Sequence, residues 1–261
     1  MAGLFAATVL MLIVLPALLF YIFQEKIIFS PVHSRRRQLF AEHPERYRAV
    51  ELIVHENVRL EGIVYEPEGK TEKSVLYFGG KEQDSVTMVA KLSMHHPTVR
   101  FIAFNYRGYG TSHGKPTEKS LYADALKVYD WAQSRYEKVS LMGYSLGSNI
   151  ASYVASRRKV ESIILVAAFD SALAMARLKF SLMPKMLMRC RLDTIHHVKS
   201  IKAPLYLYAA TDDTVVPIEQ ARKIKGSVQN LSRYREISGY DHAELLFSPE
   251  MTKELSEVFE E

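Results

Sequence analysis

The chain has 261 residues, 48% of them hydrophobic and 24% charged. Setting aside an apolar N-terminal segment leaves roughly 225, which suits one α/β domain around a single core. The net charge is +5, much of it near the N-terminus. No long basic stripe with interleaved aromatics is present, so nucleic-acid binding is not expected. The single cysteine, Cys190, excludes an intrachain disulfide and a cysteine-rich metal site.

Residues 3–23 carry no charge. About 20 such residues span a bilayer core as a helix. Tyr21 would then stand at an interface, where amphipathic rings settle. No Lys or Arg precedes the segment, it is long for a signal-peptide core, and no small-x-small cleavage site follows. Residues 1–25 are therefore expected to form a retained single-pass membrane anchor, with a cleaved signal or a soluble helix as alternatives. Lys26, Arg35, Arg36 and Arg37 follow it. By the positive-inside rule they favour a cytoplasmic domain, though the side stays open. Residues 26–48, with Pro31 and Pro44, read as a linker to a domain over 49–261.

From residue 49 the chain alternates strand and helix patterns. Strands are expected at 49–54, 58–65, 74–78, 100–105, 138–142, 162–166, 205–209 and 234–237. Helices are expected at 84–94, 118–134, 146–156, 218–225 and 249–260. This pattern predicts an α/β fold, an eight-stranded mostly parallel sheet with helices on both faces. The first two strands are close and alternating, so they should pair as an antiparallel hairpin. Residues 168–202 break the alternation and are rich in Met, Leu and basic residues. They read as a short helical cap. Its methionines either pack it onto the domain or meet an acyl chain or membrane surface.

Gly143-Tyr144-Ser145-Leu146-Gly147 spells G-x-S-x-G between a strand pattern and a helix pattern. A turn that tight lifts the serine above the sheet edge and leaves the next amide free to bind an oxyanion. A serine hydroxyl is a weak nucleophile, so it needs a base and the base needs an orienter. His242, after the turn at Gly239, is the expected general base. Asp213, at the end of the strand pattern over 205–209, is the expected orienter, with Asp212 as rival. Asp241 adjoins the base but should point elsewhere. Two backbone donors are expected for an oxyanion, the amides of Leu146 and Lys81. Gly80 and Tyr144 are expected to line the substrate site. The pairs His95-His96 and His196-His197 have no carboxylate or cysteine companions at ligand spacing, so neither a metal nor a cofactor is expected.

The chain resembles the α/β-hydrolase serine hydrolases, and within them the branch with an N-terminal anchor and a short cap. The resemblance rests on Gln24-Glu-Lys-Ile-Ile-Phe-Ser-Pro, Asn105-Tyr-Arg-Gly-Tyr-Gly, Gly143-Tyr-Ser-Leu-Gly, Arg191-Leu-Asp-Thr-Ile, Ile201-Lys-Ala-Pro, Asp213-Thr-Val-Val-Pro and Gly239-Tyr-Asp-His. It implies an esterase, thioesterase or lipase-like activity with Ser145, Asp213 and His242 as triad. The partners it implies are an ester or lipid substrate and a membrane reached through the N-terminal helix. Where that family carries His-Gly-Asn after the third strand, this chain has Gly79-Gly80-Lys81. That departure supports the alternative, a catalytically weak or inactive α/β-hydrolase acting as a membrane-tethered binding protein.

Overall fold

The computed structural model describes residues 2–33 and 44–261, with backbone alone for 2–10, 12 and 13. Arg35, Arg36 and Arg37, and with them most of the charge argument for orientation, lie outside the described residues.

Eight strands form one sheet: β1 (Tyr47–His55), β2 (Val58–Tyr65), β3 (Lys73–Phe78), β4 (Arg100–Phe104), β5 (Lys138–Tyr144), β6 (Ile163–Val166), β7 (Leu205–Ala210) and β8 (Leu231–Ile237). Their order is β1-β2-β4-β3-β5-β6-β7-β8. β1 pairs antiparallel with β2 and β2 with β4, and every other pair is parallel. Parallel strands must be joined by crossovers, and those crossovers are helices that cover both faces. They are α2 (Ser85–His95), α3 (Glu118–Gln133), α4 (Leu146–Ala155), α5 (Ala172–Lys179), α6 (Thr194–Val198) and α7 (Ile218–Lys225); α1 (Ala2–Ile28) precedes the sheet and α8 (Pro249–Glu260) follows its last strand.

Both faces of the central strands are apolar, as burial from two sides demands. Leu76, Ile102, Leu141 and Leu207 face one way and pack with α3, α4 and α7 through Val128, Ile150, Val154 and Ile224. Val75, Phe101, Met142 and Tyr208 face the other way and pack with α2 and α8 through Val89, Leu92, Met251 and Leu255. Side-chain oxygens start the helices. Asp84 accepts from the Thr87 amide, Thr117 from Ser120, and Ser248 from Met251 ahead of Pro249. Each such cap satisfies an otherwise orphaned amide and stabilises by about 1 kcal/mol.

β8 starts three residues earlier than the apolar pattern predicts, at Leu231. Its early residues are polar because the strand lies at the sheet edge. Arg233 there reaches Glu254, Glu257 and Glu261 around α8 at 3.0, 2.7 and 2.7 Å.

The N-terminus differs from the sequence expectation. Among the described residues no helix is long and apolar enough to cross a membrane. The transmembrane helix over 1–25, and the single-pass membrane localisation drawn from it, are corrected accordingly. Gln24 turns inward and is fully buried. Its Nε2 donates to the Leu187 carbonyl at 3.0 Å, and its Oε1 accepts from the Arg189 and Cys190 amides at 2.7 and 3.1 Å. Phe29 is 2% exposed in the main core. The start of the segment read as a linker is thus a packed helix end.

Two histidines are buried among aromatic rings. His96 packs edge-on against Phe259 at 5.1 Å, and His197 lies against Tyr122 and Tyr153 at 5.6 and 5.2 Å. Burial lowers both pKa values, from 6.5 to about 4. The folded state therefore keeps both neutral while the unfolded chain protonates them. Their contribution is fully present above pH 6.5 and is lost as the pH falls toward 4. Each histidine should remove about 1.4 kcal/mol of stability per pH unit in that window. Urea midpoints measured across the window should fall more steeply for the wild type than for the His96→Gln, His197→Gln double variant.

Candidate active site

The turn between β5 and α4 has room for no extra atom on either side. Ser145 sits there with φ 52° and ψ −115°. Left-handed φ in a non-glycine residue stores about 1–3 kcal/mol and needs surrounding structure to hold it. The holding comes from close backbone approach. A Cβ on Gly143 would lie 2.3 Å from the Gly147 carbonyl oxygen, and one on Gly147 would lie 1.9 Å from the Phe78 carbonyl oxygen. The Ser145 amide donates to Val166 at 2.9 Å, and its carbonyl accepts from the Ser148 amide at 2.9 Å. The next amide, Leu146, has no acceptor among the described residues.

Three distant segments meet at this serine. His242 Nε2 lies 3.1 Å from Ser145 Oγ. His242 Nδ1 lies 2.6 Å from Asp213 Oδ2. The Asp213 side chain is 1% exposed. Its second oxygen accepts from the Val215 and Val216 amides at 2.8 and 2.7 Å, so the loop after β7 satisfies the buried carboxylate and fixes its direction.

The neighbouring aspartates do other things. Asp212 accepts from the Gly239 amide at 2.7 Å and so ties down the turn ahead of His242. Gly239 has φ 84°, a backbone state that glycine adopts without strain. Asp241 accepts from the Ala243 and Glu244 amides at 2.8 and 3.0 Å. Tyr144 donates its hydroxyl to the His242 carbonyl and packs its ring 5.2 Å from the imidazole. Burial, with Asp213 and Asp241 nearby, raises the Tyr144 pKa, so the phenol stays a neutral donor.

The loop between β3 and α2 closes the other side. A Cβ on Gly80 would come within 3.1 Å of the Tyr144 ring. The Gly80 amide donates to Gln83 Oε1 at 2.9 Å. The carbonyls of Gly79 and Lys81 accept from the hydroxyls of Tyr106 and Tyr109 at 2.9 and 2.8 Å. The Lys81 amide has no acceptor among the described residues. Arg107, in the loop after β4, makes a two-pronged ion pair with Asp124 of α3 at 2.6 and 2.8 Å. Gln83 and Tyr77 were not among the residues the sequence pointed to, and Tyr106 and Tyr109 stood in the Asn105-Tyr-Arg-Gly-Tyr-Gly segment without a role assigned to them.

Gly147 offers a direct check. Gly147→Ala would drive a methyl into fixed backbone and should cost about 4 kcal/mol or prevent folding. Gly226→Ala, whose nearest atom would be 3.6 Å away, should change stability by less than about 0.5 kcal/mol. Thermal unfolding of the two variants tests the contrast.

Residues 87–189 match the sequence profile of the alpha/beta hydrolase fold. An uncharacterized protein of Mycobacterium tuberculosis is 26% identical over 204 residues, covering 75% of this chain and 72% of that protein. Human protein ABHD12B is 31% identical over 158 residues, covering 52% of this chain and 43% of that protein. The lysophosphatidylserine lipase ABHD12 of Macaca fascicularis is 28% identical over 187 residues, covering 60% of this chain and 47% of that protein. The chain thus spans about half the length of the two ABHD12-type relatives. Among solved structures, a Pyrococcus furiosus esterase superposes with a TM-score of 0.67 at 18% identity, covering 89% of this chain and 98% of that one. Together with the observed strand order and crossover helices, these likenesses establish that the chain has the α/β-hydrolase fold.

Proposed function

We propose that the protein is a serine hydrolase that cleaves carboxylic ester or thioester bonds of lipid-like or acylated substrates. The observation that carries the reading is the unbroken contact from Asp213 to His242 to Ser145. In this reading Ser145 Oγ attacks the acyl carbon and His242 Nε2 takes its proton. Asp213 holds the imidazole by Nδ1 and stabilises the imidazolium that forms. The Leu146 and Lys81 amides bind the oxyanion. His242 then returns the proton to the leaving group, and water releases the acyl chain from Ser145.

The substrate class rests on separate support. A sequence relative is named as a lipase, and a solved structure with this fold is named as an esterase. The segment between β6 and β7, proposed as the cap, exposes Leu178, Phe180, Leu182 and Met186. Exposed apolar side chains at that density suit an acyl chain better than a small polar ester.

Labelling with a fluorophosphonate probe tests the reading. The wild type should label, and Ser145→Ala should not. Turnover of a short-chain nitrophenyl ester should fall about 10⁶-fold in Ser145→Ala or His242→Ala. In Asp213→Asn it should fall about 10⁴-fold. A wild type that neither labels nor turns over any ester would instead favour a binding protein without catalysis.

A further inference from the structure

The 79–84 loop lacks the imidazole and asparagine that the resembling family places there, yet three of its carbonyls are held. Gly79 O is held by the Tyr106 hydroxyl at 2.9 Å, Gly80 O by the Gln83 amide at 3.2 Å, and Lys81 O by the Tyr109 hydroxyl at 2.8 Å. Gln83 grips Gly80 twice, because its Oε1 also accepts the Gly80 amide at 2.9 Å. The Gln83 backbone amide thus holds the Gly80–Lys81 peptide plane, while its side chain, with the Tyr106 hydroxyl, holds the Gly79–Gly80 plane and so limits rotation about Gly80.

This matters for the amide that follows. A trans peptide is planar, so its N–H points opposite to its C=O. Holding Gly80 O toward Gln83 aims the Lys81 N–H the other way. Gly80 cannot supply that rigidity itself. A Cβ there would press on the Tyr144 ring at 3.1 Å, and glycine is the most permissive residue in the backbone. An outside brace is required, and Gln83 is the side chain in contact.

The Gln83 amide is in turn oriented. Tyr77 is fully buried, and its hydroxyl donates to Gln83 Oε1 at 2.6 Å. Burial raises the Tyr77 pKa well above that of a free phenol, so the hydroxyl keeps its proton and remains a donor. The Gly80 N–H can only donate, so it requires the flip of Gln83 that presents Oε1, and the Tyr77 hydroxyl donates to the same oxygen and holds it in place.

We propose that Gln83 is a positioning residue, which holds the Lys81 N–H in the direction an oxyanion requires, with Tyr77 fixing its amide orientation. The proposal rests on the hydrolase reading above. It separates from that reading because labelling of Ser145 tests the nucleophile while Gln83 variants test the loop.

The experiment compares wild type, Gln83→Met and Tyr77→Phe, each normalised to active sites by burst titration. Methionine keeps the length of glutamine and removes the acceptor. Removing one oxyanion donor lowers kcat by about 10²–10³-fold. Gln83→Met should therefore lose about 10²-fold in kcat on a nitrophenyl ester while KM changes less than about twofold. Its affinity for a trifluoromethyl ketone, which forms a tetrahedral oxyanion on Ser145, should fall by the same factor as kcat/KM. Tyr77→Phe should fall in the same direction by about tenfold. A purely structural role would lower the fraction of titratable sites and leave normalised kcat unchanged. Gln83→Met with normalised kcat within threefold of wild type overturns the proposal. If Gln83→Met does not fold, Tyr77→Phe decides on the same criterion, and an unchanged kcat overturns it.

Discussion

The close approach of α4 to the end of β3 is the constraint on which the rest depends. Phe78 O lies where a Cβ of residue 147 would be, at 1.9 Å, so the helix can start there only with glycine. That approach forces the chain to turn within one residue and puts Ser145 at φ 52°. It also brings the loop after Phe78 against the first turn of α4. The candidate nucleophile and both candidate amide donors thus share one crowded junction. Strain of about 1–3 kcal/mol at Ser145 is small beside the burial of two full helix faces on the sheet, so the fold can carry it.

Around that junction the polar groups are divided with little overlap. Three aspartates lie within thirty positions of one another, and each satisfies backbone amides as well as any side chain. Asp213 orients His242 because the amides of Val215 and Val216 hold its other oxygen. Asp212 holds the Gly239 turn, and Asp241 starts the turn after it. Phenols do the same work for carbonyls. Tyr106, Tyr109 and Tyr144 each donate to a loop carbonyl next to the site. A buried phenol is suited to this, since desolvation keeps it protonated and it never competes as an anion.

The N-terminus shows where hydropathy misleads. An uncharged apolar run reads as a membrane span because the transfer scale sees composition alone. It does not see that Gln24 is engaged on both amide atoms by residues 187–190, or that Phe29 enters the core. The same segment is joined to the site by a polar contact, since the Ser30 amide donates to the Tyr109 hydroxyl that holds Lys81. The end of α1 is therefore part of the domain's packing, a fact that only distant contacts could reveal.

Much of the fold was legible because it is set by local rules. Period-2 runs buried on both faces, such as 74–78 and 205–209, can be little else than central strands, and β2, α7 and α8 begin and end where their patterns do. The Gly143-Tyr-Ser-Leu-Gly turn was legible because its two glycines answer a steric demand inside five residues. The order of Ser145, Asp213 and His242 pointed to their meeting because each follows a strand pattern at the same sheet edge. By itself, then, the sequence determined the alternation of elements, the turn at Ser145 and the candidates for its partners. Only tertiary structure set Asp213, and not Asp212, in contact with His242, replaced an expected anchor with a packed helix end, and recruited Gln83, Tyr77, Tyr106 and Tyr109 to the loop. The physical reason is range: steric turns and periodicity act within a few residues, whereas a hydrogen bond between Tyr109 and Lys81 exists only after β3 and β4 have paired.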